Sequence, residues 1–210
     1  EGGCSSRRVN PLSFVKNDLY NIDKSKSIDF YLIAGDNYYQ PKNKDKGIIL
    51  FNNKQFIEGF KCLSNLKGHK YILLGNHDTT SIPKFSNTAS GNELHMCHTL
   101  HKQIEFSSTH KDSFTMVNQN TTQHLYLPHS KTLFILLDTN LLQSDIDKVK
   151  DVLECSIEYY NFSVEHLKVE DFIKAYIKTI YDSIVDYTSR NTILEVDNLV
   201  FVGHHPIYGS

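Results

Sequence analysis

A chain of 210 residues, 40% hydrophobic and 22% charged, is long enough to bury one core, and this balance excludes a disordered tail or a coiled coil. The formal charge of -2 gives no electrostatic footing for nucleic acid or an anionic membrane, so a small anionic substrate must be held by local groups. Cys4, Cys62, Cys97 and Cys155 lack the paired spacing of a zinc knuckle or a disulfide scaffold, and no run reaches the roughly 20 apolar residues of a membrane-spanning helix.

Residues 1–10 are small and polar and read as a loop that feeds a helix opened by Asn10-Pro11 and spaced by Leu12, Val15, Leu19 and Ile22. Residues 28–34 form an apolar strand, followed by the polar insertion QPKNKDKG. From Ile48 the spacing of Phe51, Phe56, Phe60 and Leu63 predicts a second helix, and residues 70–75 a second buried strand. Strand, helix and strand in that order predict a largely parallel sheet. Residues 79–131 lack sustained periodicity and read as a long surface excursion with two short strands near 114–117 and 124–127. Residues 132–137 are a third apolar run, closed by Asp138-Thr139-Asn140. Leu167, Phe172, Tyr176, Ile180, Ile184 and Tyr187 mark a long helical stripe within 165–189, and a last strand over 198–203 returns to the sheet.

Three of the apolar runs end in groups suited to chemistry. FYLIAGDNYY releases Asp36 and Tyr39, KYILLGNHD releases Asn76, His77 and Asp78, and NLVFVGHHP releases His204 and His205. In open sheets with parallel strands, ligands sit beyond the carboxyl ends of the strands, where loops leave a rigid scaffold. A carboxylate, a carboxamide and an imidazole together suit hard or borderline cations. Two such ions roughly 3.5 to 4 Å apart are a standard device for attacking phosphate esters. Each motif alone has an ordinary reading as a turn, and it is their conjunction that points to a site. A separate group, His95, Cys97, His98 and His101, has helical metal spacing but no strand-end placement, and reads as a solvated loop or helix face.

With GDNYY, GNHD, GHHPIY and ILLDTN in this order, the chain resembles the calcineurin-like metallophosphoesterases, and among them the small tartrate-resistant purple acid phosphatases. The resemblance covers nearly the whole length. It implies a single α/β domain over residues 1–210, a layered metallophosphoesterase fold of mainly parallel buried strands flanked by helices. It implies phosphomonoester hydrolysis by in-line attack of metal-bound hydroxide at a centre of Fe(III) with a divalent Fe, Zn or Mn. Asp36 is then the residue that bridges both ions, Tyr39 the ferric ligand, and Asn76 and His204 ligands of the divalent ion. His77 is implied to meet the substrate phosphate or protonate the leaving group, with Asp78 orienting it. Tyr39 discriminates, since a phenolate with a free pKa near 10 is worth deprotonating only against a strongly charged cation. The partner implied is a small phosphorylated substrate or a phosphoprotein, with neither nucleic acid nor a membrane segment. A secreted or lysosomal compartment is implied by the family alone.

The family also uses an aspartate from a first strand and a Gly-His-x-His motif, and neither occurs in the chain. Glu1-Gly2-Gly3 resembles the tail of the family's Asp-x-Gly-Gly, so the expectation is a domain truncated at both ends, with little activity from these residues by themselves. Two alternatives stay open: a metallophosphodiesterase, and a non-catalytic scaffold built on the phosphatase fold with residues 79–131 as its binding surface.

Overall fold

The computed structural model describes residues 11–25, 28–37, 53–79, 98–117, 123–142, 149, 152, 168–190 and 195–205. The first helix, α1, spans Pro11–Ser25, and the first strand, β1, spans Phe30–Ile33. Helix α2 (Asn53–Ser64), strand β2 (His69–Ile72), the short helix α3 (Asn76–Thr79), helix α4 (His98–Thr109) and strand β3 (Phe114–Met116) follow. Strands β1, β2 and β3 pair in parallel in that order, with Phe30 opposite His69 and Lys70 opposite Phe114.

A second sheet is made by β4 (Gln123–Leu127), β5 (Thr132–Leu136) and β6 (Asn198–Val202). Here β4 runs antiparallel to β5, and β6 returns parallel to β5 through helix α5 (Val169–Arg190). Among the described residues two sheets stand where the sequence pattern suggested one. Hydrophobic runs report that strands are buried on both faces, but not which strands share hydrogen bonds.

Period-two alternation explains the layering. From β2, Ile72 and the following Leu74 face α2 and α4, packing with Phe56, Phe60, Leu100, Phe106, Phe114 and Met116. The alternate residues Tyr71 and Leu73 face the second sheet, where they meet Leu125, Phe134, Leu136 and Val202. The Phe30 and Phe134 rings cross that seam edge-on, with centroids 5.4 Å apart. From β5, Leu133 and Ile135 turn to the other side, against Phe172, Tyr176 and Ile180 of α5. The order is therefore helix, sheet, sheet, helix, the mixed α/β architecture expected, with helices flanking mainly parallel strands.

Helix α4 adds to the reading of residues 79–131 as a surface excursion with two short strands, and takes up the helix that is one of the two readings for His98 and His101. Its inward positions alternate in character, Leu100 and Phe106 with Gln103 and Ser107, all buried, so the apolar periodicity is diluted. The two short strands expected there are β3 and β4. In α1, Ile22 is exposed and its neighbour Asp23 is buried instead. The buried carboxylate is paired, accepting from the Tyr31 hydroxyl at 3.0 Å and the Lys67 N–H at 2.9 Å. That Lys67 bond holds its carboxyl below the usual carboxylate range. Buried Lys70 donates to the Leu66 carbonyl and sits 5.6 Å from the Phe114 ring centroid. Among the described residues β6 is a sheet edge, on which Leu199, Val200 and Phe201 are all exposed. Among the described residues, no helix is long and apolar enough to cross a membrane.

Candidate metal centre

The ends of β1, β2 and β6 meet at one place. Beyond β1 the backbone turns through two left-handed residues, Gly35 at φ 92° and Asp36 at φ 54°. A β-carbon at Gly35 would lie 2.6 Å from His204 Nδ1 and 2.7 Å from the Gly75 nitrogen, so this turn requires glycine on conformation and on space. Gly75 is equally constrained, because a β-carbon there would collide with the Asp36 nitrogen and Oδ1. The glycines that announce the motifs in the sequence are thus the points where the loops touch each other.

Three candidate donors converge in this space. His204 Nε2 is 3.3 Å from Asp36 Oδ1 and 3.2 Å from Asn76 Oδ1. His204 Nδ1 is 2.7 Å from the Ala34 carbonyl oxygen, which can only accept, so the imidazole proton belongs on Nδ1. In the neutral ring, Nε2 then presents a lone pair to two oxygens that are themselves acceptors. A proton or a cation resolves that repulsion, and a nitrogen, a carboxylate oxygen and a carboxamide oxygen form a set suited to a borderline or hard divalent ion. A carbonyl that fixes the tautomer of a ligating histidine is the outer contact such a centre needs. Among the described residues, no three His, Cys, Asp or Glu side chains cluster; the third donor here is the Asn76 amide. The residues present fit a metal.

Asp36 Oδ1 also accepts the His77 N–H at 3.1 Å, which locks the carboxylate against the start of α3. The His77 ring is on the exposed side. Asp78 is 1% exposed, so it acts on the site through the residues it holds. Its carboxylate accepts from the Gly75 N–H at 2.8 Å, the Asn37 N–H at 3.0 Å, the Asn37 side-chain amide at 3.0 Å and Gln103 Nε2 at 2.9 Å. These bonds bind the Asp36 turn to the Asn76 loop. Burial pushes the Asp78 carboxyl up, opposed by the Gly75, Asn37 and Gln103 donors, while the nearby Asp36 charge pushes it further up.

The turn after β5 braces the same loops. Asp138 Oδ1 accepts from the Asn140 N–H at 3.0 Å and from its side-chain amide at 2.8 Å. Asn140 Nδ2 also reaches the Leu74 carbonyl at 3.2 Å, on the β2 loop. The Thr139 hydroxyl meets the N–H groups of His204 and His205 at 3.1 and 2.9 Å. Thr139, Asn140, Asn37 and Gln103 carry no role in the sequence reading. The signal for the first two was present, because Asp138-Thr139-Asn140 closes an apolar run just as the donor motifs do. Gln103 lies in the helix the sequence pattern concealed. Tyr39, with residues 80–97 that include His95 and Cys97, lies outside the described residues; His98 and His101 fall on α4, with His101 exposed.

The family model for calcineurin-like phosphoesterases matches residues 12–210. No curated protein and no solved structure matches the chain.

Proposed function

Because the chain belongs to the calcineurin-like phosphoesterase family, whose chemistry is metal-dependent phosphoester hydrolysis, we propose that it hydrolyses phosphomonoesters in the manner of purple acid phosphatases. The observation that supports a metal-dependent site most directly is the convergence of Asp36 Oδ1 and Asn76 Oδ1 within 3.3 Å of His204 Nε2. These three residues would hold the divalent ion, and Tyr39, three residues beyond Asp36, would supply the phenolate for Fe(III).

Bound cations contribute Lewis acidity toward the phosphoryl group and lower the pKa of an attacking water. The protein residues do the rest. The Ala34 carbonyl keeps the His204 proton on Nδ1, so Nε2 stays a ligand. The His77 N–H and the turn held by Asp78 keep Asp36 facing the centre. The exposed His77 ring, adjacent to Asn76 in the chain, delivers a proton to the departing alkoxide.

The reading is tested on the full-length protein that carries these residues, loaded with iron and zinc or manganese and assayed on p-nitrophenyl phosphate and on its bis ester. The monoester should turn over at least about tenfold faster. Asp36→Ala or His204→Ala should lower kcat/KM by about 100-fold or more. The iron form should absorb visible light, and Tyr39→Phe should bleach it. A colourless enzyme that prefers the diester would make the protein a phosphodiesterase. Tight metal binding without hydrolysis of either ester would favour a scaffold.

A further inference from the structure

We propose that Thr139 is a positioning residue that, together with the Ala34 carbonyl, holds the adjacent histidines His204 and His205 in opposite tautomers. One presents a lone pair to the cation, and the other an N–H that cannot bind one.

Thr139 Oγ1 has three polar neighbours: the backbone nitrogens of His204 and His205 at 3.1 and 2.9 Å, and His205 Nδ1 at 3.0 Å. A hydroxyl has two lone pairs and one hydrogen. Both backbone N–H groups can only donate, so they take the lone pairs. The one remaining proton is then directed to His205 Nδ1, which must accept. In the neutral ring the His205 hydrogen therefore sits on Nε2, whereas in His204 it sits on Nδ1, which faces the Ala34 oxygen at 2.7 Å. The two rings stand at 87° with centroids 4.9 Å apart, so these unlike nitrogens are presented at right angles. A β-carbon at Gly203 would collide with the Thr139 methyl group, so this loop is packed on Thr139 as well as bonded to it. The division of labour excludes His205 from the ligand set.

The bearing on catalysis rests on the metal-centre reading, but the His205 tautomer and the His204 Nδ1 proton belong to the metal-free chain and are read there. Long-range proton-nitrogen NMR of the imidazoles, on the metal-free full chain at neutral pH, should show bare Nδ1 with protonated Nε2 for His205 and a protonated Nδ1 for His204, whose Nε2 is bare once Zn(II) is bound. Thr139→Val keeps the shape and removes the hydroxyl. It should mix the His205 tautomers and weaken Zn(II) binding, measured calorimetrically, by about 10- to 100-fold. Thr139→Ser should preserve both. The proposal is overturned if wild-type His205 carries its proton on Nδ1, or if Thr139→Val leaves the nitrogen pattern and the Zn(II) affinity within about twofold of wild type. Should Thr139→Val not fold, the wild-type and Thr139→Ser spectra decide the tautomers. Wild type that binds no Zn(II) yet shows the opposite tautomers would sink the metal reading and leave this one standing.

Discussion

At the scale of single residues, the site depends as much on atoms that are missing as on atoms that bind. Gly75 has no room for a methyl group, because the Asp36 backbone and carboxylate occupy that position. Gly75→Ala should therefore displace Asp36 and weaken Zn(II) affinity by about 100-fold, measured by calorimetry. An affinity unchanged by the substitution would show that Asp36 is not a ligand. Asp78→Ala acts on the framework instead. It strands the Gly75 and Asn37 N–H groups and two side-chain amides, and should lower unfolding free energy in urea by about 3 kcal/mol. The meeting of Asp36, Asn76 and His204 was legible because each closes an apolar run where a strand stops. The work of Asp78 was not, since its partners Asn37 and Gln103 lie 41 and 25 positions away in the chain.

At the scale of elements, α4 carries more of the fold than its polar composition suggests. Phe106 sits among Phe56, Phe60 and Phe114, with ring centroids 5.2 to 5.5 Å away, and Gln103 on the same helix reaches the Asp78 carboxylate. Phe106→Ala should destabilise the protein by about 3 to 5 kcal/mol in equilibrium denaturation. A loss below about 1 kcal/mol would mean that α4 does not close this core. Strands β1, β2, β5 and β6 were readable as continuous apolar runs, and α2 and α5 by their spacing. The partition into two sheets was not readable, because pairing depends on backbone register across long separations. Helix α4 was hidden because two of its buried positions, Gln103 and Ser107, are polar; Ser107 receives the Met116 N–H at 2.8 Å.

At the scale of the whole molecule, acid should loosen the fold through histidines that face the interior. His124 of β4 bonds Ser183 Oγ of α5 at 2.9 Å and stacks on Tyr187, and burial lowers its pKa from the ordinary 6.5. His69 of β2 is lowered too, first by burial and further by Lys70, against an opposing bond from the Asp112 backbone. Between the lowered value and 6.5 the unfolded chain takes up a proton that the folded chain refuses. Stability is thus intact above about 6.5 and falls as pH drops through the folded pKa. Thermal melts from about pH 7 to about pH 5 should show a smaller acid loss for His124→Gln than for wild type. An unchanged slope would locate the acid sensitivity elsewhere. The two sheets also divide the chain into consecutive stretches, Phe30–Met116 and Gln123–Val202. Asp36 and Asn76 come from the first stretch and His204 from just beyond the second, so a cation held by all three would be a rivet between two halves of the polypeptide. In hydrogen exchange, Zn(II) should slow amides of β1, β2, β5 and β6 together, across the seam lined by Leu73, Leu136 and Val117. Metal loss would then be felt mechanically, as two folding units free to part along their common face.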